Sequence, residues 1–290
     1  MGSTYYTEER TLKGHTETVR SVTALSDNIH AVSAAWDQSL KLWNIQTGQI
    51  VSTVATGKSY INTIIVVGAG LSVATVSESS PLRIWDLQVG KLEREIPTSH
   101  TEQVTALAIT PDGRLAVTGS MDTTLAIWNL PAGKKICALQ GHTAAIISVA
   151  VTADGLRAVS ASRDFTARIW NLQQQIEEHK LEGHTSRVYG ATITCDDKLA
   201  LTVAEDQTAK VWDMATGRLI ATFTNDSMCT ACATVADKSF LVGDASGRLH
   251  FLHLESPHQF QNEVTTYTDH GNTIGCYEEV KPRASDQNTR

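Results

Sequence analysis

Long apolar runs are missing from this 290-residue chain. The longest, Ile64 to Val76, falls short of the roughly 20 residues that span a bilayer, and Gly68, Gly70, Ser72 and Thr75 interrupt it. No membrane segment is expected. A basic excess is missing too: 24 Lys and Arg stand against 31 Asp and Glu, a formal net charge of −7. Nonspecific nucleic-acid affinity comes from Lys and Arg displacing counterions, so this balance argues against a phosphate-backbone binder. Cysteine is scarce and odd in number, 5 in all, which fits a reducing compartment better than a disulfide framework. Glu8, Glu9 and Arg10 stand where an apolar leader core would be, so no secretory signal is expected and a cytoplasmic location is. A chain of this length can bury a core with no stapling metal or disulfide.

Tryptophan is also sparse, with 6 residues, yet five of them keep time. Trp43, Trp85, Trp128, Trp170 and Trp212 are separated by 42, 43, 42 and 42 residues. A fixed period of this size is the signature of a repeat array. His15, His100, His142 and His184 each lie 28 residues before their tryptophan, three of them after a glycine. Asp37, Asp122, Asp164 and Asp206 lie six residues before it, and four residues before each Asp stands a hydroxyl: Ser33, Thr118, Ser160 and Thr202.

Within a unit the periodicity is that of strands. In the fourth, Ile146, Val149 and Val151 lead to the turn Ala153-Asp154-Gly155. Ala158-Val159-Ser160-Ala161 follows, then a tight turn at Arg163-Asp164 and the run Thr166 to Leu172. Short β-branched runs broken by Asp-Gly or Thr-Gly turns predict antiparallel all-β structure. No segment carries a 3.6-residue stripe.

Gly-His followed by Trp-Asp or Trp-Asn, as in Gly183-His184 with Trp212-Asp213, resembles the WD40 repeat, and the resemblance covers residues 7–254. It implies a β-propeller of four-stranded antiparallel blades around a channel. The repeats run about 14–54, 55–96, 97–139, 140–181, 182–223 and 224–254. It also implies that the Asp, His, hydroxyl and Trp form a structural tetrad, and that each repeat is offset from its blade by one outer strand. Thr7 to Leu12 is then expected to supply the outer strand that closes a ring of six blades, removing an exposed sheet edge. Residues 255–290 hold one plausible strand, Glu263 to Tyr267, and are expected to form a mobile tail; the alternatives are a seventh, degenerate blade or a six-repeat fragment of a longer array. Two units depart from the pattern. The second keeps only Thr75 and Trp85, and the sixth aligns Ser246 with the Asp and Leu252 with the Trp, so its tetrad is expected to be gone. These two blades are expected to be the softest.

Family likeness places partner binding on the top face, at the residue before the turn Asp and at positions three and five after the His. Carried over, these are Thr18, Arg20 and Trp36; Tyr60, Asn62 and Glu78; Gln103, Thr105 and Met121; Ala145, Ile147 and Arg163; Arg187, Tyr189 and Glu205; and Ser227, Cys229 and Ala245. Trp36, the one tryptophan off the beat, joins Arg20, Tyr60, Met121, Arg163, Arg187 and Tyr189 there, types enriched at interface hot spots, with Glu205 beside them. Three arginines suggest a protein or peptide partner that is acidic or phosphorylated. The bland alternative is that Trp36 covers the junction of blades 1 and 2. The sixth unit, from Cys232-Ala233-Thr234 to Leu252, resembles the closing repeat of WD arrays attached to NACHT-type signalling ATPases, which implies either a freestanding relative or the sensor or adaptor module of a larger assembly.

Other motifs read as structure. Thr56-Gly57-Lys58-Ser59 lacks the earlier glycine of a phosphate loop, since Ser52 stands there. Cys229 and Cys232 have metal spacing, but three residues apart on a strand they are expected on opposite faces. His250 and His253 have no evident carboxylate partner. Asn225-Asp226-Ser227 is an idle sequon without a secretory signal. No catalytic set converges, so a non-enzymatic binding scaffold with neither cofactor nor metal is expected. A nucleic-acid-binding propeller using Arg20, Arg163 and Arg187 with stacking Tyr60 and Tyr189 is one alternative. A hydrolase at the channel mouth is the other.

Overall fold

A computed structural model describes residues 11–25, 27–57, 60–68, 71–77, 81–235 and 239–254, together with 268–269 and 272–273. The described residues form strands and turns only. The first sheet is a meander of β1 (Val19–Ala24), β2 (His30–Ala35), β3 (Ser39–Asn44) and β4 (Ile50–Ala55). The second holds β5 (Ile61–Val67), β6 (Ser72–Ser77), β7 (Leu82–Asp86) and β8 (Lys91–Ile96), and the third β9 (Val104–Ile109), β10 (Leu115–Ser120), β11 (Leu125–Asn129) and β12 (Lys134–Leu139). The fourth holds β13 (Ile146–Val151), β14 (Arg157–Ser162), β15 (Ala167–Asn171) and β16 (Ile176–Leu181). The fifth holds β17 (Val188–Ile193), β18 (Leu199–Ala204), β19 (Thr208–Asp213) and β20 (Leu219–Thr224). The sixth has three strands among the described residues: β21 (Cys229–Thr234), β22 (Ser239–Asp244) and β23 (Leu249–His253). All pairings are antiparallel, and these are the blades of a β-propeller.

Units counted from Gly-His coincide with the sheets, because β4 pairs with β3 of its own unit; the offset expected from family likeness is not observed. The core lies between sheets rather than within them. Leu40, Ile61, Ile64 and Trp85 join the first blade to the second, and Val159, Ile169, Val188 and Trp212 join the fourth to the fifth. Each periodic tryptophan from Trp85 onward thus packs toward the preceding blade. The approach is close: a Cβ added to Gly119 on β10 would meet the Ile146 side chain of the next blade at 2.6 Å.

Inner strands succeed one another, β1 on β5, β5 on β9, β9 on β13, β13 on β17 and β17 on β21. Side chains stitch them across one repeat, with Asn62 Nδ2 donating to the Val104 carbonyl at 2.9 Å and Ile64 N to Ser21 Oγ at 3.2 Å. No packing of that extent joins β21 to β1 among the described residues. Val22 on β1 is 69% exposed and Phe251 on β23 74%. Trp43 lines a groove of about 480 Å³ in the first blade, with Gly14, His15, Val19 and Val22. The expected closing strand lies outside the described residues except for Thr11 and Leu12, which carry no strand. The expected tail strand lies outside them too, and β24 (Thr268–Asp269) pairs with β25 (Asn272–Thr273) beyond it.

Candidate functional site

The repeating polar residues come together in every blade that carries the whole set. In the fourth, Trp170 Nε1 donates to Ser160 Oγ at 2.8 Å, His142 Nε2 meets the same oxygen at 2.7 Å, and His142 Nδ1 meets Asp164 Oδ2 at 2.7 Å. Indole N–H can only donate, so the hydroxyl hydrogen goes to His142 Nε2 and the imidazole donates from Nδ1 to the carboxylate. Blade 1 repeats the chain through Trp43, Ser33, His15 and Asp37. Blade 3 repeats it through Trp128, Thr118, His100 and Asp122, and blade 5 through Trp212, Thr202, His184 and Asp206. Burial pushes the His100 and His184 imidazoles below their ordinary pKa, against the pull of Asp122 and Asp206. Burial raises the Asp122 carboxyl, but hydrogen bonds from Thr124 and Thr101 and the nearby His100 outweigh it and hold it low. The free carboxylate oxygen caps the turn between the second and third strands, accepting from Thr124 N and Oγ1 at 2.9 and 2.7 Å. These histidines are architecture, each engaged at both ring nitrogens.

The two altered blades differ. Blade 2 keeps one bond, Trp85 Nε1 to Thr75 Oγ1 at 2.9 Å. Blade 6 has a substitute rather than a loss. The buried Asp244 accepts from Asn225 Nδ2 at 2.9 Å, His250 Nε2 at 3.0 Å and Ser246 Oγ at 2.6 Å, which together hold its carboxyl far below the usual range. This corrects the expectation that His250 has no carboxylate partner. Asp244 occupies the place of Ser120 and Ser162, two residues before the turn position, and that shift hid it. His253 bonds Ser239 Oγ instead.

Cys229 and Cys232 both pack toward blade 5, not on opposite faces as strand alternation predicts. A β-bulge between Cys229 and Ala231 makes Thr230 an extra residue and resets the alternation. Burial pushes the Cys229 thiol to about 11 and the Cys232 thiol to about 12. Among the described residues no three His, Cys, Asp or Glu gather to hold a metal.

The same bulge recurs in the inner strand of every blade and shapes one rim. The unpaired residues are Arg20, Asn62, Thr105, Ile147, Tyr189 and Thr230. A backbone bond ties the neighbouring rim positions together: Trp36 N to Thr18 O at 3.0 Å, Met121 to Gln103, Arg163 to Ala145, Glu205 to Arg187 and Ala245 to Met228. In blade 6 the rim positions are therefore Met228 and Thr230, one residue later than Ser227 and Cys229, because one residue fewer separates β21 from β22 than separates β17 from β18. Glu78 lies outside the described residues.

The rim residues sort by what they touch. Asn62 and Thr105 turn inward to carbonyls of the next blade. Arg187 Nε lies 4.0 Å from Glu205, and Ser186 donates to the same carboxylate. Met121 and Tyr189 are half-buried, and Arg163 is exposed. Trp36 and Tyr60 are 42% and 44% exposed, with ring centroids 6.1 Å apart in an edge contact. Arg20 caps this pair, its guanidinium 5.6 Å from the Trp36 ring centroid. Blades 1 and 2 thus bring three of the eight expected interface residues into one cluster.

Residues 6–44, 90–129, 133–171 and 176–213 match the WD domain, G-beta repeat family, WD40, over more than half of the chain. The chain belongs to the WD40 repeat family. The two long unmatched stretches, 45–89 and 214–290, hold the first three strands of blade 2 and the described strands of blade 6. Among curated relatives, autophagy-related protein 16 of Arabidopsis thaliana is 35% identical over 113 residues, 39% of this chain and 22% of that protein. U3 small nucleolar RNA-associated protein 12 of Saccharomyces cerevisiae is 33% identical over 118 residues, 41% of this chain and 12% of that protein. The ribosome biogenesis protein WDR12 homolog of Nematostella vectensis is 31% identical over 122 residues, 41% of this chain and 29% of that protein. The match spans less than a third of each. WD40 domains serve as protein-interaction scaffolds, and the rim cluster has the residue types of such a surface.

Proposed function

We propose that this WD40 domain is a non-enzymatic scaffold that binds a protein or peptide on the rim where the bulged inner strands end. An acidic or phosphorylated segment is the fitting partner, and a sensor or adaptor role in a larger signalling assembly is the fitting context. The observation that carries this reading is Trp36. It is the tryptophan outside the structural period, and it stands exposed between Arg20 and Tyr60. An exposed indole beside an arginine is a typical hot-spot pairing. The periodic histidines and carboxylates, by contrast, are consumed by the tetrads. Affinity capture with the intact chain, compared with Trp36→Ala, Tyr189→Ala and Arg187→Glu, tests the proposal. Partners should be lost from at least one folded variant. Retention of every partner by all three would move the site off this rim.

A further inference from the structure

We propose that the Arg20–Trp36–Tyr60 cluster is the specificity-setting part of the rim, and that it takes a linear segment carrying one carboxylate beside an apolar side chain. The inference rests on the rim reading above and narrows it to one junction and one chemistry.

Three observations lead there. First, Arg20 is placed rather than free to roam. It is the extra residue of the bulge between Val19 and Ser21, and its guanidinium sits over the Trp36 ring. Trp36 in turn is anchored by its backbone bond to Thr18. Attraction to an aromatic face uses the cation's charge and leaves its N–H groups unspent. Arg20 is exposed, and the contact recorded for it among the described residues is the one with the Trp36 ring, which presents its planar donor fork toward solvent. Arg187, on the same rim, is already beside Glu205.

Second, the charge count favours a carboxylate over a phosphate. Phosphate recognition relies on clustered arginines. The other rim arginines belong to blades 4 and 5, on strands and turns that do not adjoin β1 or β5. A single guanidinium matches a single carboxylate by two parallel hydrogen bonds.

Third, an apolar surface adjoins the cation. Trp36 and Tyr60 meet at an interplanar angle of 62°, and both remain more than two-fifths exposed. Their rings can cover an aliphatic or aromatic side chain next to the carboxylate, excluding water from the ion pair and strengthening it.

Selection from a displayed library of random twelve-residue peptides on the intact chain tests this, with Arg20→Glu, Arg20→Gln, Trp36→Ala, Arg163→Ala and Tyr189→Ala as parallel baits. Thermal unfolding of each bait confirms the fold. Peptides enriched by the wild type should carry Asp or Glu next to Leu, Ile, Phe or Met. Changing that acid to its amide should weaken binding at least tenfold, as should Arg20→Gln, which keeps the side-chain stem. Arg20→Glu should enrich basic peptides instead. The inference fails if enriched peptides bind wild type and Arg20→Gln within twofold of each other. It fails equally if no peptide is enriched, or if phosphoserine in place of the acid tightens binding tenfold. Peptides that ignore Arg20 and Trp36 but respond to Arg163→Ala or Tyr189→Ala would sink this inference and leave the rim standing. Peptides that ignore all five changes would sink both.

Discussion

The Arg20 guanidinium lies over the Trp36 ring, two residues brought together by a bulge in β1 and the turn between β2 and β3. Neither takes part in the tetrad of its blade. The pair is an addition to the scaffold at one of six equivalent places, which is how a repetitive fold acquires a unique site.

That placement has an optical consequence. The five periodic tryptophans are buried and Trp36 is exposed, so collisional quenching reports on Trp36. Iodide, drawn to Arg20, should quench a larger fraction of the emission than caesium at equal ionic strength. Arg20→Glu should reverse the order. Equal quenching by both ions in the wild type would contradict the pairing.

The tetrads make a graded prediction for stability. Ser160→Ala leaves the Trp170 N–H and the His142 Nε2 without a partner in the core, a cost of about 2–3 kcal/mol. Thr75→Val in blade 2 removes one bond, from Trp85, and should cost about 1 kcal/mol. Urea unfolding of both variants checks the order; a larger loss for Thr75→Val would refute it.

Acid should destabilise the domain in two stages. His100 and His184 are depressed by burial, so the unfolded chain binds more protons than the folded one as pH falls below the ordinary histidine value of 6.5. Stability therefore declines from that point through the lowered folded values. Asp122 and Asp206 are also depressed, which adds a second decline below the ordinary carboxylate value of 3.8. Unfolding midpoints measured from pH 8 to 3 should be flat above 7 and fall after it. A profile flat down to pH 5 would show that the imidazoles are not held neutral.

Thiol reactivity should follow burial. Cys195 is exposed, whereas Cys229 and Cys232 face blade 5 with raised pKa. In a Cys276→Ser background, which removes the one thiol outside the described residues, alkylation at pH 8 should modify Cys195 first. Cys229 and Cys232 should react only with unfolding, as peptide mapping would show.

Hydrogen exchange should rank the blades. Backbone amides of β10, β14 and β18, inside complete tetrad blades, should exchange more slowly than those of β6 and β22. Asp244→Ala should speed exchange across β21 to β23, because Asn225 and His250 lose their shared acceptor. Uniform protection across the sheets would contradict a role for these networks.

The period, the strand runs and the four aligned sets of Trp, hydroxyl, His and Asp were legible from spacing, because they are properties of one repeat; that each set forms a tetrad, and that a sixth unit exists, came from family likeness. Register was not legible. The bulge at Thr230 put Cys229 and Cys232 on one face, and an Asp displaced by two residues rebuilt the network of blade 6. Both depend on how two strands pair, which a one-strand pattern does not contain.

The amino-acid sequence by itself therefore determined the repeat and its strands, and through family likeness the rim candidates of the first five blades. Tertiary structure decided which candidates are spent on neighbouring carbonyls, as Asn62 and Thr105 are, and which stand together at the surface, as Arg20, Trp36 and Tyr60 do. The reason is physical: these contacts join residues of adjacent blades or opposite ends of one blade. Their existence depends on the distance between sheets packed through a shared core.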